Sequence, residues 1–335
     1  MTATKPELIW RKRIADTETP VSAALKLFVP ERGDFILESV EGGETRGRHS
    51  LIGIAPDLVF RAAGDKAEIN SQWMTDRDAF APSPLPSLDA LRALAADCRM
   101  DVPEELPPAL ACLVGYFGYE TIGLVEKLPR APQSALELPD MLFVRPTVIL
   151  VFDRLKDEIF LVSPVWAGLN DAQAVALANE RLDETERLLN LGQVPSTGAV
   201  SVSEEHELKL TPVLPEGRYA QMVASAKDYI EAGDIFQVVL AQRFTAPFDL
   251  PPVHLYRALR RINPSPFLYF IDLPGFALIG SSPEILVRAR GGEVTIRPIA
   301  GTRPRGKSSI EDAENRASLL ADPKERAEHL MLLDL

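Results

Sequence analysis

The sequence predicts an α/β fold of the α+β kind, in which an antiparallel sheet is combined with separate helices. Short apolar runs separated by Gly, Asn or Asp turns follow one another between residues 35 and 70, which is typical of antiparallel strands. Apolar residues recur at helical spacing in the segments 87–98, 169–191 and 216–232, which indicates amphipathic helices. The 335 residues, 46% hydrophobic and 25% charged, have a globular composition and suffice for one large domain or two smaller ones.

The N-terminal half begins with a strand followed by a helix. Thr19 and Pro20 are favourable residues for a helix start, and apolar residues follow them at helical spacing. Residues 82–86 are rich in proline and predict a loop. Gly115 interrupts an apolar run and predicts a close backbone approach or a bend. The strands predicted in this half cover residues 8–11, 35–39, 50–54, 58–61, 66–70, 148–153 and 159–162.

A change in composition divides the chain. Residues 192–215 are rich in Gly, Pro, Ser, Thr and acidic residues, and we interpret them as a linker between the halves 1–191 and 216–335. In the second half the run 235–245 predicts a strand because it is rich in β-branched residues, although it contains Gln237. The remaining predicted elements are helices at 253–262, 310–320 and from 322 onward, and strands at 267–273, 276–280, 285–290 and 293–297.

Composition excludes several classes of function. A net charge of −12 disfavours a general binder of nucleic acid or of anionic membranes. The two cysteines, Cys98 and Cys112, form neither a disulfide framework nor a metal-ligand cluster. The first residues lack the apolar core of a signal peptide, and no run reaches the roughly 18 apolar residues of a membrane span. We therefore expect a soluble cytoplasmic protein.

The last predicted helix carries two carboxylates near its start. Asp322 is a suitable N-cap, and Glu325 stands at the third helical position as in a capping box. Glu325 and Glu328 share one helix face, where they suit a hard cation such as Mg²⁺. The apolar run 330–333 predicts that this helix is buried. The alternative is that Glu325 only caps the helix and that Glu328 only pairs with Lys324.

Three further stretches have residues suited to chemistry. The loop 300–303 offers backbone N–H groups, a hydroxyl and a guanidinium to an anion, unless it is a plain exposed turn. Glu284 at a strand start could act as a general acid if burial raised its pKa, the alternative being a strand-edge charge. Gln237 could orient a small nucleophile or be a hydrogen-bonded sheet amide. Residues 37–39 and 266–268 could together line a small amphipathic pocket.

Taken together, these stretches resemble the chorismate-utilising enzymes, and among them the anthranilate synthase component I group. The resemblance extends over essentially the whole chain and keeps the order that the family shows. The nine stretches are T-P-V-S-A-A-L-K-L (19–27), L-E-S (37–39), G-R-H-S-L-I-G (47–53), G-Y-F-G-Y-E (115–120), G-D-I-F-Q-V-V-L-A-Q-R-F (233–244), N-P-S-P-F-L-Y-F (263–270), G-S-S-P-E (280–284), R-P-I-A-G-T-R (297–303) and D-P-K-E-R-A-E-H-L-M-L-L-D-L (322–335).

The resemblance implies a lyase reaction of tryptophan biosynthesis. Ammonia, supplied by a glutamine amidotransferase subunit (component II) in a heterotetramer, aminates chorismate at C2, the C4 hydroxyl leaves, and pyruvate is eliminated to give anthranilate. The implied cofactor is Mg²⁺, as a Lewis acid and template at the substrate carboxylate. L-tryptophan is the implied feedback inhibitor. The implied fold is a mixed, mainly antiparallel two-sheet core flanked by helices, with the regulatory side in 1–191 and the start of the catalytic side in 216–335.

The family's roles transfer to matching positions of this chain. Glu328 and Glu325 match the metal ligands, Gly301 and Thr302 match the chorismate-binding pair, and Glu284 matches the acid for the departing hydroxyl. The positions that match the tryptophan site are Leu37, Glu38, Ser39, Ser50, Pro266, Phe267 and Leu268.

Two positions bear on the choice of subfamily. Relatives that add water to chorismate have a Lys base where this chain has Gln237, and a neutral amide cannot deprotonate water. Aminodeoxychorismate synthases often have a nucleophilic Lys where this chain has Ala300, so ammonia would attack chorismate directly here. Both features favour anthranilate synthase. Aminodeoxychorismate synthase is the alternative, and a non-catalytic tryptophan-binding fragment is a third.

The resemblance also implies that members of the family are longer than this chain. Its members continue beyond the terminal helix with A-R-N-D and further residues that carry the second pair of metal carboxylates, a catalytic His and other chorismate contacts. This chain ends at Leu335. We therefore expect a fragment that is inactive on its own.

Overall fold

The computed structural model describes residues 7–39, 47–107, 110, 113–128, 136–166, 172–191 and 209–334. The chain divides into two units, one formed by residues 1–195 and 252–335 and the other by residues 196–251.

The strands are β1 (Glu7–Ile14), β2 (Asp34–Glu38), β3 (His49–Ile54), β4 (Leu58–Ala63), β5 (Lys66–Asn70), β6 (Ala81–Pro86), β7 (Val114–Phe117), β8 (Met141–Arg145), β9 (Val148–Asp153), β10 (Glu158–Val165), β11 (Thr211–Pro212), β12 (Phe244–Thr245), β13 (Phe267–Leu273), β14 (Phe276–Ser282), β15 (Arg288–Arg290) and β16 (Glu293–Thr295). The helices are α1 (Pro20–Leu27), α2 (Ser87–Asp97), α3 (Ala172–Asn190), α4 (Arg218–Ala232), α5 (Pro252–Ile262), α6 (Ser309–Ala321) and α7 (Pro323–Asp334), with a 3₁₀ helix at Tyr119–Leu124.

The larger unit contains a seven-stranded antiparallel sheet. Its strand order is β1-β10-β9-β3-β2-β13-β14. The strand β13 comes from the second half of the chain, yet it pairs with β2 from the first, so that Leu268 stands opposite Glu38 and Phe270 opposite Ile36. This sheet therefore joins the L-E-S stretch to the stretch that contains Phe267. The predicted linker at 192–215 lies largely outside the described residues and stays a prediction.

A second sheet has five antiparallel strands, in the order β6-β5-β4-β8-β7. Residues 82–86, for which the sequence predicts a loop, belong to the edge strand β6. Its pairing with β5 is interrupted between Lys66 and Glu68 of β5. Prolines lack the N–H that an inner strand needs for both neighbours, whereas an edge strand has only one neighbour to satisfy. The loop prediction is therefore wrong for this segment, and the prolines limit how regularly it pairs.

Helices and sheets of the larger unit form four layers. Helices α1, α3 and α5 pack on one face of the seven-stranded sheet, where Ala24, Leu182 and Tyr256 join a common core with strand residues. The other face meets the five-stranded sheet through Phe35, Val144 and other apolar residues. Helix α2 covers the outer face of the five-stranded sheet through Ala90 and Leu94. The predicted α/β class, with two mainly antiparallel sheets flanked by helices, is confirmed.

Local capping signals in the sequence form as expected. The hydroxyl of Thr19 accepts a hydrogen bond from the backbone N–H of Ser22, and the Ser22 hydroxyl accepts one from the N–H of Thr19. This reciprocal pair satisfies two free donors at the start of α1, and Pro20 occupies the first helical position. Helix α4 ends at Gly233, whose positive φ of 77° suits a helix C-terminus.

The predicted burial of the terminal helix is wrong. Asp322 does cap α7, because one carboxylate oxygen accepts from the N–H groups of Lys324 and Glu325. However, none of the α7 residues is buried, and Leu330 and Leu333 are 60% and 58% exposed. Among the described elements, α6 is the main neighbour of α7.

The smaller unit is described for residues 209–251 and contains α4, β11 and β12. Two residue pairs, Thr211 with Thr245 and Pro212 with Phe244, form its sheet. The predicted strand over 235–245 is wrong for all but its last two residues, because β11 is the one strand partner in this described segment. Across both units, no helix of the described residues is long and apolar enough to cross a membrane.

A half-buried acidic residue of the strand β13 has a perturbed pKa. One carboxylate oxygen of Asp272 accepts from the backbone N–H of Glu31 at 3.1 Å. Desolvation by burial raises the pKa of Asp272 to about 6, and the negative charge of the nearby Asp34 adds to the effect. Asp34 is itself fully buried, but its carboxylate accepts from Arg32 and from the N–H groups of Val29 and Ala55.

We expect Asp272→Asn to stabilise the protein at neutral pH, and to do so less at pH 5, which lies between the unfolded and the folded pKa of Asp272. The folded pKa of Asp272 lies above its unfolded value of 3.8, so its contribution to stability is fully present below pH 3.8 and is lost as pH rises through about 6. Asparagine can still accept from Glu31 and carries no charge, so the free energy of unfolding at pH 7.5 should rise by about 1–2 kcal/mol. Urea unfolding at pH 5 and pH 7.5 measures the difference. Asp16→Asn at an exposed position is the control, and an equal gain there would contradict the burial argument.

Candidate functional site

A cavity of about 410 Å³ lies at one end of the seven-stranded sheet. Three adjacent strands bring its walls together, because Phe267 at the start of β13 pairs with Ser282 at the end of β14 and Leu268 pairs with Glu38 at the end of β2. Residues that follow these strand ends then face a common space. The lining residues are Ser39, Pro266, Phe267, Pro283, Glu284, Ile285, Arg288, Arg297 and Ile299.

The cavity combines two sets of residues that the sequence assigned to different roles. Ser39, Pro266 and Phe267 belong to the tryptophan set, and Glu284 is the predicted acid. The carboxylate of Glu284 is exposed and accepts from the backbone N–H of Ile299 at 3.1 Å. It thus links the end of β14 to the loop that leads to Gly301. The burial that its acid role requires is not provided by the described residues.

Glu38 is fully buried and does not line the cavity. The Tyr256 hydroxyl donates to one of its carboxylate oxygens at 2.5 Å, and Arg260 Nε donates to the same oxygen at 2.7 Å. Arg154 Nη2 donates to the other oxygen at 2.8 Å. Burial raises the pKa of the Tyr256 phenol, so this group stays protonated and donates. Glu38 is therefore in place to hold Ser39, the next residue, at the cavity wall.

Three other members of the tryptophan set, one half-buried and two buried, do not line the cavity. Leu268 is 1% exposed and belongs to the core under α1, α3 and α5. Leu37 packs against the core between the two sheets. Ser50 is fully buried, and its hydroxyl has no hydrogen-bond partner among the described residues. Of the tryptophan set, Ser39, Pro266 and Phe267 line the cavity.

A second cluster joins the loop 297–303 to the start of α7. Arg303 Nη2 lies 2.7 Å from Asp322 Oδ2, and its Nη1 lies 3.0 Å from Glu325 Oε1. Gly301 has φ of 68°, and a Cβ at this position would lie 2.3 Å from Glu325 Oε2. Glycine is therefore favoured by the backbone conformation, and a side chain at this position would displace the Glu325 carboxylate. The carbonyl of Thr302 accepts from Arg303 Nη1 at 2.9 Å.

The two predicted metal ligands differ in their surroundings. Glu325 is paired with Arg303, whereas Glu328 is exposed and forms no ion pair or hydrogen bond with any described residue, Lys324 included. No group of three or more His, Cys, Asp or Glu side chains suited to a metal occurs in the described segments. Two carboxylates on one helix face fit Mg²⁺, which takes one or two carboxylates and completes its shell with water or substrate oxygens.

Gln237 is the predicted site residue that belongs to the smaller unit. It lies outside any strand, and its side chain is exposed. The alternative of a hydrogen-bonded sheet amide is therefore wrong, and its role toward a nucleophile stays a prediction.

The sequence did not indicate the two arginines of the cavity, Arg288 and Arg297, or the three partners of Glu38. Arg297 is the first residue of the stretch R-P-I-A-G-T-R, so its place in that motif was the available signal. The three partners of Glu38 are Arg154, Tyr256 and Arg260, and each is more than 100 residues from Glu38 in the sequence, at separations of 116, 218 and 222 residues. No spacing signal could have found them.

Comparisons with known proteins agree with the resemblance seen in the sequence. The sequence model described as chorismate binding enzyme matches residues 33–335. Anthranilate synthase component 1 of Cereibacter sphaeroides is 46% identical over 98% of this chain and 66% of its own length. The protein of the same name from Thermus thermophilus is 41% identical over 96% of this chain and 65% of its own length. The chain thus spans slightly less than two thirds of these relatives.

Solved structures point the same way. The crystal structure of anthranilate synthase component I from Streptococcus pneumoniae has a TM-score of 0.69 and 28% identity, and the match covers 96% of this chain and 66% of that one. The menaquinone-specific isochorismate synthase of Escherichia coli shares the fold alone, with a TM-score of 0.55 and 13% identity over 99% of this chain and 63% of that one. From the family match and the shared fold, the chain belongs to the family of chorismate binding enzymes.

Proposed function

We propose that this chain carries the tryptophan-regulated part and the first portion of the chorismate site of an anthranilate synthase large subunit. The cavity at the ends of β2, β13 and β14 carries this proposal, because it joins Ser39, Pro266 and Phe267 to Glu284. The relatives named anthranilate synthase component 1 support the choice of reaction. In that reaction chorismate and ammonia give anthranilate and pyruvate, with ammonia supplied by a glutamine amidotransferase subunit in a heterotetramer.

The loop before α6 and the start of α7 would bind the substrate. Gly301 and Thr302 offer backbone N–H groups and a hydroxyl to a chorismate carboxylate, and a side chain at position 301 would obstruct that approach. Glu328 and Glu325 would hold Mg²⁺, which supplies Lewis-acid polarisation when bound. Glu284 would donate a proton to the departing C4 hydroxyl, and Gln237 would orient ammonia by hydrogen bonding.

The cavity also suits L-tryptophan as an inhibitor. Pro266, Phe267 and Ile299 are apolar walls against which an indole ring can pack. The Ser39 hydroxyl, Glu284 and the two arginines offer hydrogen bonds and charges of both signs to an ammonium and a carboxylate. Because Glu284 lines the same cavity, an inhibitor bound there would contact the Glu284 carboxylate or shift the Glu284 backbone, and would thereby hinder the proton donor of the reaction.

The product of the reaction tests the catalytic part of the proposal. Because the chain covers 66% of the Cereibacter sphaeroides relative, the chain is assayed alone and joined to the remaining third of that protein. With chorismate, ammonium and Mg²⁺, we expect anthranilate fluorescence from the joined protein and none from the chain alone. Detection of 4-amino-4-deoxychorismate instead would favour aminodeoxychorismate synthase, although Ala300 offers no amine for covalent attack on C2.

Calorimetry with L-tryptophan tests the regulatory part on the chain itself. We expect binding that Phe267→Ala weakens about tenfold, because an aromatic wall contributes about 1 kcal/mol beyond its buried area. Tyr119→Ala is the control, since Tyr119 is 90% exposed and is not among the residues that line the cavity. Tryptophan binding combined with no product from the joined protein would leave the third reading, a non-catalytic tryptophan-binding protein.

A further inference from the structure

The carboxylate of Glu325 faces the loop 297–303 with both of its oxygens, and its side chain is 20% exposed. Its Oε1 accepts from Arg303 Nη1 at 3.0 Å, and its Oε2 lies so close to Gly301 that a Cβ there would be 2.3 Å away. The guanidinium also spans to Asp322 Oδ2 at 2.7 Å, and Asp322 caps the same helix. Arg303 of the loop thus forms ion pairs with two carboxylates at the start of α7. A Mg²⁺ ion needs an open carboxylate oxygen at about 2.1 Å.

The neighbouring carboxylate has no such restriction. Glu328 lies one turn further along α7, is exposed, and has no ionic partner among the described residues. A divalent cation can therefore approach Glu328 first. To reach Glu325 as well, it has to compete with a guanidinium that carries one positive charge and already holds the carboxylate. The repulsion between the two cations at short range adds to this competition.

We infer that Arg303 is a positioning residue that acts as the counter-ion of Glu325 and is displaced from it when a divalent cation binds. The inference rests on the proposed metal role of Glu325 and Glu328. In the cation-free state the pair holds Glu325 against Gly301 and keeps the loop docked on α7. Once a cation takes over Glu325, the guanidinium remains beside Thr302, where its planar pair of donors can bind a substrate carboxylate.

Mn²⁺ titration of this chain, followed by the paramagnetic resonance signal of free Mn²⁺, tests the inference without any turnover. Removing the competitor in Arg303→Gln should lower the Kd for Mn²⁺ roughly fivefold, the factor that corresponds to one partly exposed ion pair. Arg303→Lys keeps the charge but cannot span both carboxylates, so its Kd should fall between those of the wild type and of Arg303→Gln. This second variant also keeps the test valid if Arg303→Gln fails to fold.

Two controls separate the possible failures. Arg305→Gln removes the same charge two residues away, where Arg305 pairs with Asp312 and not with Glu325, so its Kd should not change. An equal gain in Arg305→Gln would overturn the inference, since the effect would then be general electrostatics. Unchanged or weaker binding in Arg303→Gln would overturn it too. Glu328→Gln should weaken Mn²⁺ binding at least tenfold, and no effect there would instead refute the proposed metal site.

Discussion

Glu38→Gln is expected to lower the free energy of unfolding by about 3 kcal/mol, because it leaves two arginines without their shared counter-charge in a partly buried site. The Glu38 side chain is fully buried, whereas Arg154 and Arg260 keep 32% and 29% of their side chains exposed. Water can therefore relieve part of the cost, which places the loss at the low end for a broken buried pair. Urea unfolding at neutral pH measures it.

A surface pair of the same chemistry provides the control for Glu38. Glu184 and Arg187 form an ion pair on the exposed face of α3, with 54% and 58% of their side chains accessible. Glu184→Gln should change the free energy of unfolding by less than about 0.5 kcal/mol. Equal losses in the two variants would show that burial of Glu38 is unimportant. We also expect Glu38→Gln to weaken tryptophan binding, because Ser39 loses its fixed neighbour at the cavity.

Gly115→Ala is expected to destabilise the five-stranded sheet by about 2–3 kcal/mol. Gly115 in β7 pairs with Phe143 in β8, and a Cβ at position 115 would lie 1.9 Å from the carbonyl oxygen of Leu142. The obstacle is backbone and not a flexible side chain, so the clash is relieved only if β7 moves away from β8. Loss of the β7 hydrogen bonds would appear as faster amide exchange in residues 114–117.

A second glycine of the same segment shows whether the effect is local. Gly123 lies in the 3₁₀ helix that follows β7, and a Cβ there would meet no atom within 4 Å. Gly123→Ala should therefore leave the free energy of unfolding nearly unchanged. If the two variants lose equal stability, the close approach between β7 and β8 does not explain the need for Gly115.

Signals that act within a few residues were predictable from the sequence. The start of α1 at Thr19 and Pro20, the cap of α7 at Asp322 and the close approach at Gly115 each depend on near neighbours or on the missing side chain of glycine. These features are found where the sequence places them. The α/β class was predictable for the same reason, since short strands and amphipathic helices carry their own periodicity.

Features that depend on distant partners were not predictable. The run 235–245 has the composition of a strand, yet a strand forms only where another strand offers its hydrogen-bonding edge. The apolar side chains of α7 suit an interior helix, but burial requires another element to cover them. The pairing of Arg303 with Glu325 also escaped prediction, because neither residue's local sequence indicates which partner it meets.

The position of β13 in the sheet has a consequence for synthesis of the chain on the ribosome. β2 is hydrogen-bonded on one side to β3, which follows it closely, and on the other to β13, which is made long afterwards. Until β13 emerges, the outer edge of β2 is an unpaired template for other chains. Contacts this distant in sequence also slow folding. A nascent chain interrupted before β13 should therefore be more prone to aggregate than one interrupted just after β14.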